Sequence, residues 1–224
     1  MKLQFAAATI TGFVCLLALP ARANLLTNGS FETGTNPGLF TDLAGGSTAI
    51  TGWTVTLNHL DYIGSLWTAS NGSRSLDLEG SVCVLFTSNC AGGISQSFAT
   101  TPGQQYTVTF DLAGNPLNIP VTKIIDVLAA GQDQTFSFSV AGRSPSNMGW
   151  TTHTWAFTAS AATTTLEFRT ADGTATSGWG PALDNVSVDP VGSTSVPEPG
   201  AFALIGLGIA VLSLGRHKLA GALA

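Results

Sequence analysis

Five runs between Gln105 and Val188 alternate apolar and polar residues at every second position: Gln105–Leu112 (QYTVTFDL), Gln134–Val140 (QTFSFSV), Thr152–Thr158 (THTWAFT), Thr163–Arg169 (TTTLEFR) and Leu183–Val188 (LDNVSV). A period of two puts successive side chains on opposite faces of a strand, one buried and one wet. Gly, Pro, Asn and Ser clusters such as Thr101-Pro102-Gly103 and Asp172-Gly173 bound the runs and mark turns. Further strand candidates are Gly52–Leu57, Ser75–Glu79, Ile94–Phe98 and Lys123–Ala129. Lys123–Ala130 (KIIDVLAA) alone has a helical look, and it is too short to outweigh its strand-like neighbours. No stretch keeps a helical period. About nine short strands with turns between them predict an all-β, antiparallel sandwich.

Both ends lie outside that pattern. Residues 1–23 carry Lys2, an apolar run from Leu3 to Leu19, Pro20, and the small-x-small triplet Ala21-Arg22-Ala23. This is the layout of a secretory signal peptide cleaved before Asn24, the alternative being an uncleaved N-terminal anchor. At the other end, Val196-Pro197-Glu198-Pro199 precedes an uncharged segment, Ala201–Gly215, which Arg216-His217-Lys218 closes. Fifteen helical residues rise about 22 Å, a little short of a full bilayer span. Pro199, Gly200 and a snorkelling Arg216 nearly close the gap. The basic cluster orients the segment with that end in the cytoplasm. The chain therefore divides into a signal peptide (1–23), a sandwich (24–190), a Pro-containing linker (191–199), a membrane segment (200–218) and a short tail (219–224).

Charge narrows the functional classes. The sandwich holds Arg74, Lys123, Arg143 and Arg169 against twelve acids, which leaves it at −8. An acidic body excludes a nucleic-acid binder, because a phosphate backbone needs a cationic face. With 9% charged and 44% hydrophobic residues, the chain is neither disordered nor a coiled coil. Cys83 and Cys90 are the only cysteines left after signal-peptide removal. Export permits a disulfide between them, worth about 2.5 kcal/mol in the chain-entropy model; two free thiols are the alternative. Their spacing, with no histidine nearby, does not suit zinc.

The C-terminal segment resembles the PEP-CTERM sorting signal of Gram-negative bacteria, through Val196, Pro197, Glu198 and Pro199, the Leu/Gly-rich stretch, and the basic Arg216 and Lys218. Leu219–Ala224 extends beyond the usual end of that signal. The resemblance implies Sec-dependent export, a transient inner-membrane intermediate, recognition by an exosortase, and a final place at the cell surface or in an exopolysaccharide matrix. The two prolines also keep the pre-membrane stretch extended, as a protease substrate must be.

The body resembles the DUF642, or choice-of-anchor C, group of secreted proteins, which is related to galactose-binding-like carbohydrate modules. The matching residues run in order: Asn24–Glu32, Gly52-Trp53, Asp61–Gly64 with Trp67, Arg74–Leu78, Gly93–Gln96, Tyr106–Asn115, Asn147–Trp150 and Gly180–Val186. The resemblance implies a jelly-roll sandwich and a cell-wall or matrix polysaccharide as partner. It also implies a structural Ca²⁺ shared by acids of the first and last strands, here Glu32 and Asp184, with Asp77 or Glu79 adding an oxygen. A hard cation draws on carboxylates and carbonyls. The alternative is that these acids cap turns through backbone amides.

Aromatic residues are the other candidates. Sugars present apolar C–H faces that stack on rings, while their hydroxyls need polar partners. Tyr62, Trp67 and Trp179 lie beside Gly and Ser in loop-like sequence, with Asn71, Arg74 and Asn115 as polar partners; packing at sheet edges is the alternative. Trp155 alternates with Phe157 and is expected in the core. His59-x-Asp61 with Ser65 could be drawn as a hydrolytic triad. But no G-x-S-x-G is present, and a triad is defined by geometry. The reading is a non-enzymatic exported surface module that binds polysaccharide. Its alternatives are a structural matrix protein without a sugar ligand and a minor glycan hydrolase.

Overall fold

A computed structural model describes residues 24–82, 90–171 and 178–192. Contacts divide the chain into a unit of Ala23–Ser193 and a second unit built from both termini. The signal peptide, Val196–Pro199, the 200–218 segment with Arg216 and Lys218, and Cys83 all lie outside the described residues. Among the described residues, no helix is long and apolar enough to cross a membrane.

The described chain is all-β. Its strands are β1 (Phe40–Ala44), β2 (Thr54–Val55), β3 (His59–Ile63), β4 (Ser75–Asp77), β5 (Gly93–Ala99), β6 (Gln105–Gly114), β7 (Thr122–Ala129), β8 (Gln132–Ser139), β9 (Thr151–Thr158), β10 (Thr163–Thr170) and β11 (Pro181–Pro190). A six-stranded sheet runs β1-β3-β4-β11-β6-β9 and a five-stranded sheet runs β2-β5-β10-β7-β8, antiparallel at every pairing. The chain passes repeatedly from one sheet to the other, as in a jelly roll. Lys123–Ala129 is a strand, as the pattern predicted.

Side chains from both sheets meet in one core. Val108, Phe110 and Leu112 of β6 and Leu183 and Val188 of β11 face Ile125 and Val127 of β7 and Leu166 and Phe168 of β10. Phe110 packs edge-on to Phe168 at 5.2 Å between centroids, a favourable aromatic geometry. Trp53 is buried against Phe31 at 5.2 Å, and its indole N–H donates to the Asn28 carbonyl at 3.0 Å. Trp155 is half-buried and packs against the core edge.

Two strands were not anticipated from sequence: β1 and β3. They pair with each other, and β3 also pairs with β4. β3 is buried on both faces, so it lacks the wet side that produces alternation. The connection from Gly64 to Arg74 follows it and brings Leu66 beside Asp61 on the outer face. That connection lies tight on the segment before β1: a Cβ on Gly64 would stand 2.2 Å from the Gly38 carbonyl oxygen. Gly64 and Leu66 both donate backbone bonds to Leu39 O, at 3.1 and 3.2 Å.

Candidate functional site: a carboxylate-lined cavity on the outer sheet face

Leu60 and Tyr62 point into the core, so Asp61 between them points away from it. Register places Asp42 opposite Asp61 and Asp61 opposite Asp77. Three aspartates on neighbouring strands therefore share one row on the outer face of the six-stranded sheet. Directly opposed like charges destabilise a sheet, and two of the three carboxyls are displaced toward their neutral form. Burial first, and Asp42 beside it, push the Asp61 carboxyl up to about 7 despite hydrogen bonds from Ser81. Burial first, then Asp61, raise Asp77 well above the usual carboxylate range.

A cavity of about 360 Å³ opens over Asp61, lined also by Phe40, Leu66, Ser81, Asn115, Leu117, Gly178 and Trp179. That volume lies within the range of small-ligand sites. Trp179 is half-buried and Asp61 is 4% exposed. The Asp61 oxygens accept from Ser81 N at 3.2 Å each and from Ser81 Oγ at 3.2 Å. The Asn115 side chain donates to Asp77 Oδ2 at 2.8 Å and accepts from Leu117 N at 3.0 Å. Lys123, 2% exposed, supports the rim from beneath: its Nζ donates to the carbonyls of Asn118, at 3.2 Å, and Trp179. Burial lowers the Lys123 pKa against the pull of Asp77 and Glu79. Gly180 is required behind Trp179, since a Cβ there would lie 2.7 Å from both Asp77 Oδ1 and the Glu79 side chain.

The structure thus joins Trp179 and Asn115, both singled out in the sequence, and adds Asp61, Phe40, Leu66, Ser81 and Leu117. Tyr62 and Trp67 are not exposed loop residues. Tyr62 is fully buried in β3, its hydroxyl bonded to Phe31 O at 2.5 Å. Trp67 is buried too, its indole N–H donating to Ser75 Oγ at 2.8 Å. The Gly- and Ser-rich connection carrying Trp67 folds back over the sheet, which buries the ring. Arg74 donates to Tyr62 Oη at 2.7 Å and lines, with the edge of Trp67, a second cleft of about 430 Å³ bounded by Asn36, Gly38, Ser65 and Ser73. That cleft is larger, but its one aromatic ring is almost covered. Asn71 is exposed and borders neither cavity.

Glu32 and Asp184 hold one loop from two sides. Asp184 Oδ2 accepts from the backbone N–H of Ser70 and Asn71 at 2.8 Å each, and Oδ1 from Asn185 N at 2.6 Å. Glu32 Oε1 accepts from Ser73 N and Arg74 N at 2.9 and 2.8 Å, and Oε2 from Ser73 Oγ at 2.9 Å. Asp77 is engaged elsewhere, by Gly180 N and Asn115. Calcium needs convergent oxygens. Here donors converge on each carboxylate, and among the described residues no three His, Cys, Asp or Glu side chains gather around one point. The donor set on Glu32, Asp184 and Asp77 fits turn-capping and does not fit a shared cation. Addition of EGTA to the protein is accordingly expected to leave its melting temperature within a degree or so; a fall of several degrees would restore the ion.

The proposed triad does not assemble either. His59 Nδ1 bonds Asp42 Oδ1 at 2.6 Å, while Ser65 lines the other cleft. Cys90 is fully buried and disulfide-bonded; Cys83, the partner expected from sequence, lies outside the described residues.

A two-sheet antiparallel β-sandwich with a mixed aromatic and acidic cavity on one outer face is the class that fold and site define. Residues 24–189 match the family model described as Protein of unknown function (DUF642). The chain belongs to the DUF642 family. Residues 195–218 match the PEP-CTERM protein-sorting motif, the class of signal that directs bacterial proteins to export and the cell surface. Halomucin of Haloquadratum walsbyi is 31% identical over 195 residues, which cover 81% of this chain and 2% of that protein. Among solved structures, the Family 16 Carbohydrate Binding Module-2 is 16% identical with a TM-score of 0.44, covering 74% of this chain and 99% of its own. The CBM22-1 xylan-binding domain of Paenibacillus barcinonensis Xyn10C is 16% identical with a TM-score of 0.42, covering 78% and 98%. The arabinose-bound MgGH51 α-L-arabinofuranosidase is 16% identical with a TM-score of 0.48, covering 75% and 26%.

Proposed function

We propose that the protein is an exported, non-enzymatic surface module that binds a matrix or cell-wall carbohydrate in the cavity over Asp61, and that an exosortase sorts it through its PEP-CTERM segment. The observation that carries the sugar reading is the wall of that cavity. A half-buried indole and the apolar Leu66 and Leu117 stand beside a carboxyl, a hydroxyl and an amide. Such a surface matches a pyranose ring, with one apolar face and a rim of hydroxyls. Turnover is not part of the reading. Among the described residues Asp61 is the only acid lining the cavity, and Asp77 behind it is fully buried and bonded to Gly180 and Asn115.

Titration calorimetry against matrix oligosaccharides tests this. Trp179→Ala is expected to weaken binding about 30-fold or more, the loss of roughly 2 kcal/mol typical of a central aromatic anchor, with the fold retained. Wild-type protein that binds no glycan overturns the sugar reading. It would favour the structural-matrix alternative, which the exposed Leu117, Ile119 and Val121 beside the cavity also suit, at 52%, 71% and 50% exposure. Mass spectrometry of the mature C-terminus, with and without exosortase, tests the sorting: the released form is expected to lack Ala201–Gly215.

A further inference from the structure

We infer that the cavity over Asp61 selects a sugar unit bearing a free amine, with the ammonium on the Asp61 carboxylate and the ring against Trp179. The inference rests on the carbohydrate reading and names its substrate class.

Three observations carry it. First, Asp61 is the single charged residue lining the cavity among the described residues, and the groups behind it are mostly acidic. Asp42 and Asp77 flank it in the row, and Glu79 lies next to Asp77. The basic groups nearby are directed elsewhere: Lys123 Nζ is bonded to two carbonyls and the His59 ring to Asp42. Among the described residues, none lining the cavity is a cation, on a body carrying −8 overall. A uronate or sulfated sugar would find no positive partner there.

Second, Asp61 is under-supplied with donors. A carboxylate offers about four lone-pair sites. Its donors at these distances are Ser81 N and Oγ, every one at 3.2 Å, with the single N–H shared between both oxygens, and its one other side-chain hydrogen bond is shared with Asp42. The Ser81 bonds are at the long limit. A side chain this buried has room for a stronger donor, and an ammonium brings three together with a compensating charge.

Third, the apolar half of the wall is wrong for a bare amine or metal ion and right for a ring. Trp179, Leu66, Leu117 and Phe40 together cover one side of the site. Burial, which holds the Asp61 proton up to about 7, is the penalty that an incoming cation would reverse.

The full chain, titrated at pH 7 with the β-1,4 tetramers of glucosamine and of N-acetylglucosamine, tests the inference without any variant. The amine form is expected to bind at least tenfold more tightly. Asp61→Asn, nearly isosteric, is expected to bring the two affinities within about twofold, with folding checked by its melting curve. Equal or reversed affinities in the wild type, with both lost in Trp179→Ala, overturn the amine selectivity and leave the sugar site standing. Binding of neither tetramer nor any other oligosaccharide overturns the sugar site itself. A simple diamine that binds as tightly as the amino sugar overturns the assignment of the ring to Trp179.

Discussion

Raising the pH from 5 to 8 is expected to destabilise the folded chain, and Asp61→Asn is expected to remove a large part of the effect. The Asp61 carboxyl titrates at about 7 in the folded protein against 3.8 when free in solution. Between those values the folded chain keeps a proton that the unfolded chain has released. Stability therefore falls as pH rises through this window. The contribution is fully present below about 4 and is lost above about 7. Each unit of displacement is worth about 1.4 kcal/mol, so Asp61 alone accounts for a few kcal/mol at full ionisation. Asp184, raised chiefly by burial to about 7, and Asp77, raised further by the same cause and by Asp61, act in the same direction. Asn at position 61 carries no charge at any pH. The variant should match the wild type to within about 1 kcal/mol at pH 5 and exceed it by roughly 2 kcal/mol at pH 8, read by urea unfolding. Stability that is flat or rising over this range would mean that the carboxyl row is ionised and compensated, contrary to its burial.

The same row shows why the sequence reveals strands better than it reveals the site. β6, β9, β10 and β11 have one wet face, or a wet end, and so alternate visibly. β1 and β3 do not: HLDYI places Asp61 where a two-sided buried strand would ordinarily carry an aliphatic residue. The loop that follows β3 has a Gly and Ser content that reads as exposed chain. That loop misleads for Trp67, which it carries under itself, and its neighbour Tyr62 is a core residue of the preceding strand. Trp179, beside Gly and Ser in loop-like sequence, and Asn115, as its polar partner, were legible as candidates, and both line the cavity. Asp61, Asp42 and Asp77 are distant in sequence, and only strand register makes them neighbours. The resemblance to galactose-binding-like modules implied a metal shared by acids near both ends of the body. The amide donors that fill the role come from the backbone of a loop in the middle, where side-chain identity gives no signal.

That backbone clamp sets the remaining large effect. Asp184→Ala is expected to cost about 3 kcal/mol and to open the connection between β3 and β4. Three backbone N–H groups, of Ser70, Asn71 and Asn185, lose their acceptor at 2.6 to 2.8 Å. Such hydrogen bonds contribute roughly 0.5–1.5 kcal/mol each, and water recovers part of that at the exposed Ser70 and Asn71. Asp111 cannot substitute, because its oxygens already hold Ser70 Oγ, Thr152 Oγ1 and the Asn185 amide, at 2.7, 2.6 and 3.0 Å. Glu32→Ala is expected to cost less, about 1–2 kcal/mol, because its contacts with Ser73 lie at the surface. The two losses should not add. Once one carboxylate releases the loop, the other has less to hold, and a coupling of about 1 kcal/mol is expected from the double-mutant cycle. Limited proteolysis locates the change: new cleavage should fall between Gly64 and Arg74. A drop below about 0.5 kcal/mol for Asp184→Ala, the range of an ordinary surface substitution, with no new cleavage there, would mean that the loop is held by its packing over β3 and that Asp184 is free for another ligand.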